Sequence, residues 1–212
     1  MSGNLDDLVE AIKRLRKSEV RSLIDDRIRE FRENGKKSIT EIFKELCFCL
    51  LTANFNAERS LKIQEEIGNG FLKLPEHELA EKLRGLGHRY PVTRAKYIVD
   101  ARKMIRPLRD ILQSSMNEEA LREWLTGNIR GLGYKEASHF LRNMGFMNLA
   151  IIDFHVINIL SKYGLISGVK TLTKRRYREI EKLLREVAKR IELSLGELDL
   201  YLWFMETGKV LK

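Results

Sequence analysis

The sequence of 212 residues predicts an all-α fold. It contains only three prolines, and its long stretches space apolar residues three and four apart, as in an amphipathic helix, rather than in the alternation typical of a strand. Asn117 and Ser194 stand directly before two such stretches, where their side chains can cap a helix, and Gly68 ends another. We therefore expect helices joined by turns along the chain.

The first third of the chain is expected to hold four helices. Two highly charged amphipathic helices are predicted over 5–16 and 19–34. The strongly apolar stretch 40–51 predicts a buried helix at the centre of one lobe, and a fourth helix is predicted over 57–67. The apolar helix contains both cysteines of the chain, Cys47 and Cys49, which point in different directions on a helix and are interpreted as buried small residues in a reducing cytoplasm.

Glycine-rich turns punctuate the rest of the chain. Helices predicted over 75–84 and 92–105 flank the turn Gly85-Leu86-Gly87, which is either a degenerate hairpin or, as Pro91 and the turn length favour, a structural connection. A helix that begins after Asn117 leads into a second such turn. Further helices are predicted over 171–191, which is long and basic, and from Leu195 to about Thr207.

The charge of the chain favours a polyanionic partner. Its formal net charge is +9 and its pI is about 9.6, although 30 acidic residues spread the positive charge over the surface. No signal peptide and no apolar segment of membrane length is visible. We therefore expect a monomer in the cytoplasm that does not bind membranes.

The most informative motif lies in residues 129–156. Ile129-Arg130-Gly131-Leu132-Gly133 is a tight turn that runs into the amphipathic helix Tyr134-Lys135-Glu136-Ala137-Ser138-His139-Phe140-Leu141. Two glycines allow positive φ and close approach of a ligand, so that amides at the helix N-terminus can bind a phosphate without reading a base. Asp153-Phe154-His155-Val156 follows 18 residues after the lysine.

Residues 129–156 resemble the helix-hairpin-helix DNA glycosylases, the superfamily that includes endonuclease III. The resemblance implies a two-lobed helical helix-hairpin-helix glycosylase fold with the active site in the cleft between the lobes. It places one lobe at about 38–128 and the other at 1–37 plus 129–212. The implied partner is double-stranded DNA, and the implied hairpin contacts come from Gly131 and Gly133.

The same resemblance implies a catalytic pair, Lys135 and Asp153. Superfamily members with a lysine at this hairpin position cleave abasic sites as well as removing bases. A helix N-terminus and partial desolvation both favour the neutral amine of Lys135, which can attack the sugar and form a Schiff base. Asp153 can stabilise positive charge at the sugar and assist proton transfer, and it is also well placed to cap a helix. His155 is interpreted as a packing or phosphate-contacting residue.

Two further sites follow from the resemblance. Asn54 matches the polar residue that fills the gap left by an extruded base, although a helix-terminating turn explains it equally well. Residues 197–212 resemble the end of the short archaeal-type 8-oxoguanine DNA glycosylases. This implies that Trp203 stacks on the extruded purine and that Lys212 helps to recognise it, with Asp199 one helical turn before Trp203.

Cofactor expectations are limited. Endonuclease III-type enzymes often carry four cysteines near the C-terminus for an iron–sulfur cluster, and this chain has none there. No metal site is expected, although a monovalent cation could bind the hairpin carbonyls. The leading hypothesis is an 8-oxoguanine DNA glycosylase with abasic-site lyase activity. The alternatives are an endonuclease III-like enzyme for oxidised pyrimidines and a non-catalytic helix-hairpin-helix DNA-binding module.

Overall fold

The computed structural model describes residues 5–167 and 171–212. Over these residues the regular structure is helical, which confirms the predicted all-α fold. The helices are α1 (Leu5–Leu15), α2 (Val20–Asn34), α3 (Ile39–Thr52), α4 (Ala57–Ile67), α5 (Gly70–Lys73), α6 (Glu76–Gly85), α7 (Pro91–Ala101), α8 (Ile105–Leu112), α9 (Glu118–Asn128), α10 (Tyr134–Asn143), α11 (Phe154–Lys162), α12 (Lys174–Arg190) and α13 (Leu195–Thr207). None of these helices combines the length and the apolar character needed to cross a membrane.

The chain divides into two compact units. The terminal unit comprises Met1–Glu33 and Gly145–Lys212, and the middle unit comprises Asn34–Met144. The sequence placed the corresponding boundaries near residues 37 and 128, so the observed middle unit also contains the hairpin and α10. The predicted terminal lobe includes residues 1–4 and 168–170, which lie outside the described residues.

Helix α3 is the core of the middle unit. It packs against α4, α5, α7, α8 and α10. Cys47 and Cys49 are buried and unbridged, as predicted, and burial raises the pKa of the Cys47 thiol. The apolar sequence of α3 therefore reflects contacts with helices on several sides rather than a single buried stripe.

Polar contacts hold α10 in the middle unit. The Glu45 carboxylate on α3 accepts hydrogen bonds from Nδ2 of Asn143 on α10 at 2.7 Å and from Nε2 of Gln64 on α4 at 3.2 Å. His139 meets the ring of Phe48 edge-on, with centroids 5.6 Å apart. Because α10 is joined to α3 in this way, the unit boundary falls after Met144 rather than before the hairpin.

One predicted helix ends early in the structure and is followed by a helix, α8, that the sequence did not predict. The sequence predicted a single helix over 92–105, but α7 ends at Ala101, a 3-10 turn spans Arg102–Met104, and α8 begins at Ile105. Pro107 explains the interruption, because it has no N–H to donate to the carbonyl four residues earlier and its ring clashes with that carbonyl. Similarly, α12 begins at Lys174 rather than 171, since Oγ1 of Thr173 accepts a hydrogen bond from the Arg176 amide and caps the helix.

The terminal unit is built around α12 and α13. Helix α12 packs against α1 and α13, and α13 also packs against α11. Ser194 and Glu197 form a reciprocal capping box at the start of α13, as the sequence predicted for the serine. The Gly196 amide donates to the Met147 carbonyl at 2.8 Å, which fixes the start of α13 against the segment that precedes Asp153.

Buried side chains of α12 hold the irregular segment 150–152. The Tyr177 hydroxyl donates to the Ala150 carbonyl at 2.7 Å and accepts from the Ile152 amide at 3.2 Å. The Glu181 carboxylate accepts from the Ala150 amide at 2.8 Å. Residues 150–152 belong to neither a helix nor a sheet, so these side chains provide the hydrogen-bond partners that their backbone groups need. The same bonds fix the residues directly before Asp153.

Replacing Tyr177 by Phe should lower the free energy of unfolding by about 1–3 kcal/mol, because it leaves a buried carbonyl and a buried amide without their partner. Urea denaturation measures this change. Tyr163→Phe is the matched control: Tyr163 lies in the same unit and is partly exposed, and its loss of a hydroxyl should change stability by about 0.5 kcal/mol or less. Equal losses in both variants would contradict the assigned role of Tyr177.

Candidate nucleic-acid interface and catalytic residues

The predicted hairpin is present between α9 and α10. Gly131 has φ +89°, a conformation that disfavours residues with a side chain, and a Cβ there would lie 2.2 Å from Cδ2 of Tyr97. Leu132 is buried between the two glycines. The turn therefore requires glycine at 131 both for its backbone conformation and for its close contact with Tyr97.

Gly133 has a different role from Gly131. It is the N-cap of α10, with an ordinary extended backbone (φ −87°, ψ −177°). Glycine has no side chain to accept hydrogen bonds from the first amides of the helix. An external anion can take that place, as expected for a phosphate-binding helix N-terminus.

Lys135 is the second residue of α10, so its side chain starts at the hairpin. It is 23% exposed, and its Nζ lies 3.1 Å from Oε1 of Glu136. The Glu136 side chain is more buried, at 13% exposed. The predicted nucleophile, Lys135, therefore has a neighbouring carboxylate, and the sequence had not indicated a role for Glu136.

Arg94 is buried in the middle unit next to these residues. Its Nη2 donates to the Ala53 carbonyl at 2.6 Å, and its guanidinium carbon lies 5.7 Å from the centre of the Tyr97 ring. Burial lowers the pKa of Arg94, whereas the charge of Glu136 acts in the opposite direction. Arg94 therefore lies between the turn after α3, the tyrosine under the hairpin and the helix of Lys135.

Asn54 lies in the turn after α3 and is exposed. Its φ is +56°, in the left-handed region, which asparagine tolerates better than most residues. It is Asn56, rather than Asn54, that caps α4, by accepting from the Arg59 amide at 2.9 Å. The exposed position of Asn54 is compatible with its predicted contact with DNA, which remains a prediction.

The second glycine turn supports the same region. His88 follows Gly87 and accepts from the Tyr90 amide through Nδ1 at 3.1 Å. Burial lowers its pKa, so the ring is neutral near pH 7, and its Nε2–H donates to the Leu51 carbonyl at 3.1 Å. Gly87 itself accepts from Nη2 of Arg59 at 3.1 Å. These internal contacts agree with the interpretation of this turn as a structural connection.

Asp153 is the N-cap of α11, as its position predicted. Its Oδ1 accepts from the Val156 amide at 3.0 Å. The capping bond fixes the position of the carboxylate at the N-terminus of α11. Asp153 belongs to the terminal unit and Lys135 to the middle unit.

His155 and Trp203 are in contact in the terminal unit. Their rings meet edge-on with centroids 4.7 Å apart. Nδ1 of His155 and Nε1 of Trp203 are both buried and have no hydrogen-bond partner among the described residues. Oε1 of Glu206 lies 4.0 Å from Nδ1 of His155.

The remaining predicted residues lie near the C-terminus. Asp199 is half-buried and stands four residues before Trp203 on α13, on the same face of the helix. Gly208 ends α13 in a left-handed conformation, and Lys212, also half-buried, ends the segment that follows. Their predicted roles in base recognition stay predictions.

Comparison with known proteins identifies the family. The family model described as 8-oxoguanine DNA glycosylase matches residues 24–193. A protein of Korarchaeum cryptofilum named 8-oxoguanine DNA glycosylase/AP lyase is 56% identical over 98% of this chain and 99% of its own length. A Methanocaldococcus jannaschii protein of the same name is 52% identical over 97% of this chain and 99% of its own. The chain belongs to the 8-oxoguanine DNA glycosylase family.

Solved structures of family members agree with this assignment. The crystal structure of the M. jannaschii 8-oxoguanine DNA glycosylase matches with a TM-score of 0.94 and 51% identity, over 99% of this chain and all of that one. The M. jannaschii enzyme has also been crystallised with a 15mer DNA containing 8-oxoguanine, and that chain matches with a TM-score of 0.94 and 52% identity, over 97% of this chain and 99% of that one. The predicted family resemblance and all-α fold are thus confirmed.

Sequence reasoning missed several residues of this glycosylase. Arg94 carried a weak signal, since it occupies an inward position of α7 beside Ala95 and one turn before Ile98. Phe154, next to Asp153, is 65% exposed, and its ring lies 3.8 Å from that of His155. The contact of Tyr97 with Gly131 left no signal, because it joins residues far apart in sequence.

Gly131→Ala should both destabilise the protein and weaken its binding to duplex DNA. The added Cβ meets the Tyr97 ring, and the left-handed backbone is strained, at a cost of about 1–3 kcal/mol. Thermal unfolding and fluorescence anisotropy with labelled duplex measure the two effects.

Gly127→Ala is the matched control, because a Cβ at this helical glycine would have no neighbour within 4 Å. It should raise stability by about 0.4–1 kcal/mol and leave binding unchanged. A Gly131→Ala variant that binds DNA as tightly as the parent would refute the hairpin as a DNA contact.

Proposed function

We propose that this chain removes 8-oxoguanine from DNA and then cleaves the abasic site, with Lys135 as the nucleophile. The observation that carries the proposal is the position of Lys135 directly after the Gly131 hairpin, in a chain whose full-length relatives are named 8-oxoguanine DNA glycosylase/AP lyase. Amides and a glycine turn hold a phosphate, and the amine next to them is within reach of the adjacent sugar.

The reaction uses the neutral amine. Nζ of Lys135 forms a bond to C1′ as the bond from C1′ to the base breaks, and the leaving base takes the electron pair of that bond. The proton that the attached amine then loses passes to the leaving base. The nitrogen electron pair next forms the double bond to C1′ as the bond from C1′ to the ring oxygen breaks; the oxygen keeps that electron pair, takes a proton from solvent, and a protonated Schiff base remains. Loss of a C2′ proton expels the 3′ phosphate and breaks the strand. Glu136, 3.1 Å from Nζ, orients the amine and is a nearby acceptor for its proton.

Asp153 has the electrostatic role in this proposal. Its Oδ1 is held by the α11 amide, and segment 150–152 is held by α12, so the carboxylate is preorganised. A fixed negative charge stabilises the cationic sugar without the cost of reorienting a mobile group. Capping and catalysis are compatible because a carboxylate has two oxygens.

Base recognition is assigned to the terminal unit. Trp203 offers a ring for stacking on the extruded base, and its edge-on contact with the His155 ring holds it in place. Lys212 and Asp199 contribute polar contacts in the same part of the chain. A main-chain carbonyl oxygen can accept the N7–H that distinguishes 8-oxoguanine from guanine.

The substrate is proposed to be double-stranded DNA, which the net charge of +9 favours. Asn54 fills the gap left by the extruded nucleotide, and Gly131, Gly133 and His155 contact the backbone. The enzyme acts as a monomer on the DNA of the nucleoid in the cytoplasm, and a monovalent cation can bind at the hairpin.

Lys135→Gln should abolish borohydride trapping on a duplex with a single 8-oxoguanine while duplex binding persists, because the amide cannot form a Schiff base. Lys182→Gln, which removes the same charge at an exposed position of α12, is the control and should trap normally. Undamaged guanine and thymine glycol duplexes complete the set. Trapping on thymine glycol alone would refute the substrate, and trapping by Lys135→Gln would refute the nucleophile.

Trp203→Ala should slow excision of 8-oxoguanine by roughly 5- to 150-fold, the loss expected for one stacking contact of about 1–3 kcal/mol. Cleavage of a preformed abasic site should change little, because there is no base to stack. Single-turnover kinetics on the two duplexes measure the ratio. Trp124→Ala, at the other tryptophan, controls for loss of an indole. A Trp203→Ala variant impaired equally on both duplexes would contradict a role in base recognition.

A further inference from the structure

The end of α3 is held by two buried side chains that the proposed reaction does not use. A helix leaves its last carbonyls without helical partners. Here the Leu51 carbonyl accepts from Nε2 of His88 at 3.1 Å, and the Ala53 carbonyl accepts from Nη2 of Arg94 at 2.6 Å. Both donors come from the second glycine turn and the start of α7.

These two bonds enclose the turn that presents Asn54. Ala53 is buried, whereas Asn54 directly after it is exposed with φ +56°. Phe55 packs against the His88 ring, with centroids 4.2 Å apart. A non-glycine residue persists in the left-handed region only where its surroundings over-determine it. His88 and Arg94 supply that constraint.

Arg94 is a costly way to satisfy a single carbonyl. Its side chain is buried, its Nε has no hydrogen-bond partner among the described residues, and burial lowers its pKa. A buried guanidinium loses its hydration and is compensated only in part by the rings of Tyr90 and Tyr97 and the charge of Glu136. The rigid, planar guanidinium fixes the direction of its single bond to the turn, which a shorter and more flexible amide side chain does not.

We infer that Arg94, assisted by His88, is a positioning residue that fixes the Ala53–Asn54 turn so that Asn54 enters the duplex without reorganisation. The inference rests on the proposed gap-filling role of Asn54. The inference predicts a larger effect of Arg94 on base excision than on cleavage of a preformed abasic site. Extruding an 8-oxoguanine requires the gap to be filled, whereas an abasic nucleotide has no stacked base to replace, so the turn matters less for cleavage of a preformed abasic site.

The test uses single-turnover kinetics of the full chain on two duplexes, one with 8-oxoguanine and one with a preformed abasic site. Arg94→Gln should slow excision about tenfold or more, as misplacement of a contact by an ångström does, and slow abasic-site cleavage less than about threefold. Arg94→Lys keeps the charge and one donor and should recover part of the loss. Lys62→Gln, at an exposed position of α4, controls for one lost charge.

A double-mutant cycle identifies the route of the effect. If Arg94 acts through Asn54, then Arg94→Gln should cost less than about threefold in excision once Asn54 is already alanine, because contacts in one network are not additive. The rise in fluorescence of a 2-aminopurine placed opposite the lesion reports gap filling directly and should be reduced in Arg94→Gln.

Each outcome separates the inference from the function on which it rests. If Asn54→Ala leaves excision unchanged, the gap-filling role of Asn54 fails, and the inference fails with it, while the Lys135 chemistry stands. If Asn54→Ala slows excision but Arg94→Gln has its full effect in that background, or slows both duplexes equally, the positioning role is overturned. If Arg94→Gln does not fold, His88→Gln and Arg94→Lys replace it. Each is then compared on the two duplexes, and with and without Asn54→Ala.

Discussion

The hairpin of the middle unit depends on the packing of Tyr97 between a glycine and an arginine. Its ring lies where any side chain at 131 would be, and the guanidinium of Arg94 lies over it. Arg130 also lies near this ring, with its guanidinium carbon 5.3 Å from the centroid. One aromatic residue therefore sets the approach of the hairpin, and the cations around it cannot move without disturbing that turn.

In the terminal unit, side chains of α12 hold an irregular segment in place. Residues 150–152 lie outside a helix or sheet, so their backbone groups need side-chain partners, and α12 supplies these from Tyr177 and Glu181. The capping bond of Asp153 continues this restraint into α11. Packing and hydrogen bonding thus fix a carboxylate that a loop alone would leave mobile, as electrostatic catalysis requires.

The local features of this chain were predictable, whereas its long-range contacts were not. Capping by Asn117, Asp153 and Ser194 was readable because a cap depends on residues three positions apart. The lobe boundary and the placement of Arg94 depend on contacts between distant residues, such as Glu45 with Asn143. The early end of the predicted 92–105 helix was partly predictable, since Pro107 was visible in the sequence but the 3-10 turn and the helix that follow Ala101 were not.

Affinity and selection have different physical requirements in base recognition. Every base has a π-face, so stacking on the ring of Trp203 favours any extruded base and does not distinguish 8-oxoguanine from guanine. Selection requires a polar group of the protein whose hydrogen bond only the oxidised base completes, because a base that leaves a buried polar group unpaired loses about 1–3 kcal/mol. We therefore expect the Trp203 ring to supply affinity and the polar groups of the C-terminal segment, Lys212 among them, to supply selection among extruded bases.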